Sequence, residues 1–245
     1  MTRRRFIADT WTATTAALTG DQATHLARVL RAEPGQIYDI VSNGFLHRAE
    51  ITSVTESRVD FTLHEELSSD AALPLHLLLA VFKFDHMEWA IEKATELGIA
   101  RITPILARRT EKHLAQSSAK RVDRWRRIAL EASKQSRRTD VPDIADPTAL
   151  KHALEQEKSA TRILLSETEQ NTSLTETLQA SLRTTASEAT RQNTAIAIGP
   201  EGGWTPEEMS LFTEHAWQPV TLGPRILRAE TAAIAAIAIA STHLT

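Results

Sequence analysis

Two glycine-containing segments near the C-terminus hold the residues best suited to chemistry. Residues 195–208 and 222–232 each place a short apolar run before a Gly-Pro pair and the start of a helix. This order predicts two corners between a strand and a helix, the places where α/β sheets bind ligands. Glycine there lets the backbone approach a ligand closely. The two segments therefore predict a small-molecule site, with Arg228 and the acids Glu201 and Glu230 beside it.

The first corner can be predicted in detail. Ala195–Ile198 is apolar and short enough to be a buried strand, and Gly199-Pro200 ends it. Thr205 is the predicted helix cap, Pro206 occupies the first helical position, and Glu208 closes a capping box.

The charged residues of the corners each have two interpretations. Glu201 either stays ionised at a helix N-terminus and orders the loop, which we favour, or acts as a catalytic base. Arg228 and Glu230 either form a surface ion pair, or the arginine orients a ligand or binds a phosphate.

The same strings resemble a known family. Ile198–Trp204 and Leu222–Ala232 are similar to the signature of the 16S rRNA uridine N3-methyltransferases, which belong to the SPOUT superfamily. The resemblance runs from about residue 25 to 232 and includes three further stretches: His25–Arg31 with Pro34-Gly35, Lys83 with Glu92–Gly98, and Glu131–Gln135 with Arg137 and Arg138.

The resemblance implies both a fold and an activity. The fold is α/β: a C-terminal SPOUT-type parallel sheet with a trefoil knot, over residues 74–245, preceded by a PUA-like RNA-binding β-barrel over residues 1–70. The activity is transfer of a methyl group from S-adenosylmethionine to N3 of a uridine in 16S rRNA, naked or within the small ribosomal subunit, by a homodimer. Two alternatives remain: a methyltransferase of this fold that acts on another RNA or on a ribose 2′-hydroxyl, and a non-catalytic RNA-binding protein.

The resemblance also assigns site residues. Arg228 is the candidate catalytic residue, because uracil that loses its N3 proton develops negative charge that a cation stabilises. The candidate cofactor-binding residues are Leu165, Ile198, Gly199, Pro200, Glu201, Gly202, Leu222, Gly223, Ile226 and Leu227.

The candidate RNA-binding residues are mostly arginines. Residues 101–140 contain twelve Lys or Arg against four acids, a charge of +8 in a chain whose net charge is −3. If residues 120–138 form one helix, five of these cations share an arc of roughly 80° and could neutralise phosphates. The alternative is an ordinary solvated helix face. The full set of candidates is Arg3, Arg4, His25, Arg28, Arg31, Lys83, Arg124, Arg127 and Arg138.

Composition excludes several other classes of protein. The chain has no cysteine, so it has neither disulfides nor thiolate metal sites. The scattered histidines predict no metal site, and no Walker loop or Ser-His-Asp order is present. The N-terminus lacks the apolar stretch of a signal peptide, and we expect a cytoplasmic protein.

The order of predicted elements changes after residue 70. Before it we predict a helix over 21–31 and strands at 36–41, 45–51 and 59–63, with a hairpin turn at Ser42-Asn43-Gly44. From residue 75 strands and helices alternate, which indicates a mainly parallel sheet. The helix over 85–97 should be capped by Asp85 and stopped by Gly98. The last helix, about 228–243, is apolar on all sides and predicts either a core helix or a dimer interface.

Overall fold

The computed structural model of the protein describes residues 5–68, 72–185 and 193–244. The chain forms two units, Met1–Ala71 with Ser133–Asp140, and Ala72–Ala132 with Val141–Thr245. The predicted RNA-binding residues Arg3 and Arg4 lie outside the described residues.

A six-stranded sheet forms the first unit. Its order is β1-β4-β5-β6-β3-β2, with β1 parallel to β4 and every other pair antiparallel. The strands are β1 (Arg5–Ile7), β2 (Thr10–Trp11), β3 (Thr15–Thr19), β4 (Ile37–Ser42), β5 (Phe45–Val54) and β6 (Arg58–Leu67).

The segment from β1 to β2 joins the two edges of this sheet. Ala8 N–H donates to Val41 O at 2.8 Å, which continues the pairing of β1 with β4. Asp9 N–H donates to Ala17 O at 3.0 Å, next to the pairing of β2 with β3. Because consecutive residues bond to opposite edges, the sheet closes into a barrel, which leaves few unpaired edge groups.

The hairpin turn is confirmed, but the first helix differs from the prediction. Asn43 and Gly44 both have positive φ, 51° and 83°, as a type I′ turn requires. Helix α1 (Gly20–Thr24) continues as a π-helical turn, His25–Val29, and Arg31 has a φ of 50°. The helix predicted over 21–31 therefore ends before Arg31.

A seven-stranded parallel sheet forms the centre of the second unit. Its order is β10-β8-β7-β12-β11-β13, and β9 pairs with β8. The strands are β7 (Leu75–Ala80), β8 (Arg101–Leu106), β9 (Asp143–Ile144), β10 (Thr148–Ala149), β11 (Thr161–Leu165), β12 (Thr194–Ile198) and β13 (Gln218–Val220).

Helices cover both faces of this sheet. They are α2 (Phe84–Glu96), α3 (Lys112–Ser117), α4 (Val122–Ser136), α5 (Leu150–Gln156), α6 (Leu174–Thr185), α7 (Pro206–Glu214) and α8 (Ala229–Leu244). None of the described helices is both long and apolar enough to cross a membrane.

Alternate residues of β7 belong to different cores, as the period of two requires. Leu77 and Leu79 belong to the core that contains Ile237 of α8. Leu78 belongs to the opposite core, which contains Leu154 of α5 and Phe212 of α7. Burial of both sheet faces explains why the strands are apolar runs, and the predicted α/β class is confirmed.

Two predicted helix limits are wrong. The N-cap of α2 is Lys83, not Asp85, although Gly98 ends the helix with a φ of 94° as predicted. The predicted single helix over 120–138 begins at Val122 after a 3₁₀ turn, Ser118–Arg121. It ends before Arg137, whose φ of 61° is incompatible with an α-helix.

A hydrogen-bonded histidine–glutamate pair, largely buried, joins β7 to the end of α5. His76 Nδ1 lies 2.5 Å from Glu157 Oε2, and its Nε2 lies 2.8 Å from Thr103 Oγ1. Burial alone raises the pKa of Glu157, but hydrogen bonds from His76 and Ser159 outweigh it and lower this pKa from 4.5 to about 2. A carboxyl with a lowered pKa stabilises the fold above its unfolded pKa, and this contribution is lost as the pH falls.

We expect Glu157→Gln to lower the free energy of unfolding by roughly 3 kcal/mol at pH 7, since one pKa unit corresponds to 1.36 kcal/mol and the pKa is lowered from 4.5 to about 2. The difference from the unmutated protein should shrink as the pH falls from 4.5 toward 2, where the glutamate becomes protonated. Urea unfolding across this range measures it, with exposed Glu155→Gln on the same helix as control. A difference that does not change with pH would contradict the ionic role.

Candidate active site

The carboxyl ends of β11, β12 and β13 lie side by side. Leu165 pairs with Val220, and Leu164 pairs with Ala197, so the loops that follow these strands leave the sheet at one edge. On its other side β12 pairs with β7, Ile198 opposite Leu79. The chain adds β8 on one side of β7 and β12 on the other, and such a reversal of strand order leaves a crevice where ligands bind.

The first corner is built by its predicted cap. The Thr205 hydroxyl accepts from Glu208 N–H at 3.3 Å, and Glu208 Oε2 accepts from Thr205 N–H at 2.8 Å, so the predicted capping box is confirmed. Gly203 has a φ of 69°. A Cβ on Gly199 would lie 3.0 Å from Trp204 Nε1, tighter than an ordinary contact, so any other residue would require the indole to move.

Two arginines that follow β8 hold the same corner. Arg108 N–H donates to Glu208 Oε1 at 2.8 Å, and Glu208 is only 4 % exposed. The Arg109 guanidinium donates to Gly202 O at 2.6 Å. Sequence reasoning counted these arginines only as part of the basic segment. Their position directly after a strand of the same parallel sheet was the signal that could have placed them at the corner.

The second corner follows β13. Thr221 Oγ1 donates to Gly223 O and accepts from Gly223 N–H, both at 3.1 Å, which fixes a tight turn. Gly223 has a φ of 113°, and a Cβ there would have no neighbour within 4 Å. Ile226 is 80 % exposed, unusually high for a large apolar side chain. The corner therefore offers open space and apolar surface.

Arg228 and Glu230 are separated by the start of α8. Arg228 is exposed, and its carbonyl accepts the first helical bond, from Ala232 N–H at 2.8 Å. Glu230 is 3 % exposed, and its Oε1 lies 3.4 Å from His86 Nδ1 of α2. The alternative of an Arg228–Glu230 surface pair is therefore wrong, because the glutamate is buried and faces a histidine.

The structure brings most of the candidate cofactor residues to this edge. Leu165 and Ile198 end their strands, Gly199 to Gly202 form the first corner, and Leu222 to Leu227 form the second. Leu165 and Leu222 are half-buried and contact the core on the α8 side. The side chain of Glu201 is exposed.

Of the candidate RNA-binding residues in the second unit, one is already paired with a carboxylate and two are exposed. Arg124 donates from Nε and from one terminal guanidinium nitrogen to the two carboxylate oxygens of Glu88, at 2.6 and 2.7 Å, so a carboxylate neutralises its charge. Arg127 is exposed on the same helix, and Lys83 is exposed at the N-cap of α2.

The candidates of the first unit lie in different places. Arg28 pairs with the exposed Glu56 at 2.8 Å. Arg138 is 8 % exposed and pairs with Asp140, so its predicted place on an exposed strip is wrong. His25 lines a cavity of about 370 Å³, together with the cations Arg5, Lys134 and Arg137 and the apolar Phe6, Val29 and Leu30. Sequence reasoning missed this cavity, because its residues come from two distant segments.

No group of three or more His, Asp or Glu side chains that could hold a metal ion occurs within residues 5–68, 72–185 and 193–244.

Comparison with known proteins identifies the class of both parts of the chain. Residues 69–241 match the RNA methyltransferase domain, and residues 18–63 match the RNA methyltransferase PUA domain. The chain is thus an RNA methyltransferase of the PUA-containing class.

Similar proteins identify the family. The chain is 32 % identical to ribosomal RNA small subunit methyltransferase E of Bacillus subtilis, over 94 % of this chain and 90 % of that protein. It is 34 % identical to the protein of that name from Synechocystis, over 91 % and 72 %. The chain belongs to the ribosomal RNA small subunit methyltransferase E family.

Solved structures show the same fold. The Neisseria gonorrhoeae ribosomal RNA small subunit methyltransferase E, bound to S-adenosyl methionine, is 28 % identical, with a TM-score of 0.78 over 98 % of both chains. A Legionella pneumophila methyltransferase in complex with bound SAM is 27 % identical, with a TM-score of 0.78 over 99 % of this chain and 98 % of that one.

Proposed function

We propose that the chain methylates N3 of a uridine in 16S rRNA, with S-adenosylmethionine as methyl donor. The observation that carries the proposal is the meeting of two glycine corners at the carboxyl ends of three parallel strands. The bound ligands of the two similar structures support the choice of donor.

The residues present at the corners fit this cofactor. Gly223 has no side chain, and the space beside it is open. Its φ of 113° is one that residues with a side chain rarely adopt. Leu165, Leu222 and the exposed Ile226 offer apolar surface for a planar base. We propose that all ten candidate cofactor-binding residues hold the cofactor. When bound, it supplies a methyl group already activated on a sulfonium, so the protein mainly aligns donor and acceptor.

Arg228 is the proposed catalytic residue. The N3 of uracil carries a proton at neutral pH, so the site must help to remove it or stabilise the anion. The exposed guanidinium of Arg228 directly follows the second corner and can donate to an oxygen of the uracil as negative charge develops there.

Two architectural proposals accompany the function. The resemblance supports a trefoil knot formed by the C-terminal segment, and a homodimer with the cofactor site at its interface. Helix α8 presents half-buried apolar residues to its surroundings, which suits such an interface: Ile234, Ala235, Ala238 and Ile239.

RNA recognition is proposed for both parts of the chain, residues 1–70 as the PUA-like domain and 74–245 as the methyltransferase domain. The cavity beside His25 joins cationic and apolar groups, the combination that holds a phosphate next to a base. Arg127 would add a phosphate contact.

Mass spectrometry of nucleosides tests the proposal most directly. Deproteinised 16S rRNA and assembled small subunits are incubated with the protein and S-adenosylmethionine, and the methylated nucleoside is identified. We expect N3-methyluridine. A 2′-O-methyl nucleoside or methylation of another RNA would overturn the substrate assignment, and calorimetry that finds no S-adenosylmethionine binding would overturn the enzyme assignment.

The proposed RNA role of α4 predicts a change in salt dependence. Arg124→Ala with Arg127→Ala should reduce the slope of log K against log salt by about one to two, and Arg127→Ala alone should account for most of it, because Glu88 already neutralises Arg124. Binding of 16S rRNA fragments at several salt concentrations measures the slope. Arg126→Ala is the matched control, since Arg126 is on the same helix but pairs with Asp146 at 2.9 Å. An unchanged slope in the double variant would leave α4 as an ordinary solvated face.

A further inference from the structure

A buried carboxylate and a half-buried imidazole meet where α2 and α8 begin. Glu230 lies in the first turn of α8, and its side chain is 4 % exposed. One of its oxygens lies 3.4 Å from His86 Nδ1, and the other, Oε2, is buried without a hydrogen-bond partner among the described residues. His86 is not among the candidate site residues derived from the sequence, and Glu230 was considered there only beside the site, as a possible partner of Arg228.

The burial of the Glu230 carboxylate has to be compensated, because burying a charge otherwise costs several kcal/mol. The N-terminus of the 16-residue helix α8 supplies part of the compensation. His86 is a second group that faces it, with Nδ1 at 3.4 Å from Oε1.

The imidazole is oriented so that its two nitrogens face different surroundings. Nδ1 is buried and lies 3.4 Å from Glu230 Oε1 without a hydrogen bond to any described residue, while the side chain as a whole is 29 % exposed. Nε2 lies 3.8 Å from Oδ2 of the exposed Asp85, too far for a hydrogen bond. A carboxylate beside Nδ1 favours the tautomer with hydrogen on that nitrogen, which leaves the lone pair on Nε2.

The helices that carry this dyad begin at the same edge of the sheet as the candidate active site. Helix α2 follows β7, whose Leu79 is paired with Ile198 at the end of β12. Glu230 is two residues beyond Arg228, the proposed stabiliser of the uracil anion. Both members thus start from the carboxyl edge of the sheet, on the side covered by α2 and α8.

We propose that His86 is the proton acceptor of the methylation and that Glu230 is the residue that positions it. This proposal rests on the proposed function. The N3–H bond of uracil breaks and its proton binds Nε2 of neutral His86. The electron pair left on N3 forms the new bond to the methyl carbon, the pair of the old carbon–sulfur bond stays on sulfur, and the imidazolium returns its proton to water. Glu230 stabilises that imidazolium, as the aspartate of a Ser-His-Asp triad stabilises its histidine.

The main experiment measures single-turnover methylation of 16S rRNA at saturating cofactor. His86→Ala should slow the reaction by about 10²–10⁴-fold, the usual contribution of a general base. Affinity for S-adenosylmethionine should stay within a few-fold, and added imidazole should restore part of the rate. Glu230→Gln should be slower than the unmutated protein and should not respond to imidazole, because its own imidazole is still present.

The matched control is His113→Ala. His113 Nδ1 lies 3.5 Å from Glu111 Oε2, so it forms a similar pair, but both side chains are exposed, 71 % and 53 %. The single-turnover rate of His113→Ala should equal that of the unmutated protein. If His86→Ala does not fold, His86→Gln replaces it and is read in the same way.

A second readout needs neither cofactor nor RNA. Long-range ¹H–¹⁵N correlation spectra of the free protein report which imidazole nitrogen carries the hydrogen. We expect a single Nδ1–H tautomer for His86 and a mixture in Glu230→Gln. A Nε2–H tautomer in the unmutated protein, or a normal single-turnover rate in a folded His86 variant, would overturn the proposal. Failure of the unmutated protein to produce N3-methyluridine would overturn the proposed function instead.

Discussion

Arg228→Ala should slow single-turnover methylation by about 10²–10³-fold, the usual cost of removing one donor to a developing negative charge. Affinity for S-adenosylmethionine should stay within a few-fold, because the exposed side chain follows the second corner instead of closing it. The folded state should be preserved, since the contribution of Arg228 to α8 is made by its backbone carbonyl. Rapid-quench assays with 16S rRNA, combined with calorimetry of cofactor binding, measure the two quantities separately.

Two variants make this result interpretable. Arg225→Ala removes another exposed cation from the same loop, and it should change the rate by only a few-fold if the effect of Arg228 is specific. Arg228→Lys keeps the charge but loses the planar guanidinium fork, so it should recover only part of the rate. Near-normal turnover of Arg228→Ala would remove it from the catalytic site. Equal losses in both alanine variants would indicate general attraction of RNA.

Local signals explain why the corners could be predicted from the sequence. A capping box requires only Thr205 and Glu208 three residues apart, and both its hydrogen bonds join residues within that span. The type I′ turn at Asn43 and Gly44 is equally local. The apolar runs of β7 and β12 predicted a covered parallel sheet, because both faces of such a strand must be buried.

The features that could not be predicted from the sequence depend on contacts between distant segments. The helix that was expected to run to residue 138 ends before Arg137, and Arg138 turns inward to Asp140. Periodicity alone assigned that arginine to an exposed face. Glu230 was interpreted through Arg228, its neighbour in sequence, whereas the structure places His86, 144 residues away by numbering, against it. Such pairs follow from the packing of α2 on α8, which no local pattern contains.

Gly223→Val should weaken S-adenosylmethionine binding at least tenfold, which corresponds to about 1.4 kcal/mol. Its φ of 113° is one that L side chains rarely adopt, so a β-branched residue would distort the turn held by Thr221. The added side chain would also enter the open space that we assign to the cofactor. Gly202→Val should weaken binding as well, although its Cβ would only contact the Arg109 side chain at 3.5 Å, so distortion of the backbone is not the cause there.

The matched control is Gly35→Val in the other unit. Gly35 has a φ of 87°, and a Cβ there would also have no neighbour within 4 Å. This variant therefore carries comparable backbone strain without touching the corner, and it should lose stability but not cofactor affinity. Calorimetric titration of both folded variants with S-adenosylmethionine measures the two affinities. Equal affinity in Gly223→Val and the unmutated protein would exclude the second corner from the cofactor site. Equal loss in both variants would mean that general destabilisation, and not the shape of the corner, governs binding.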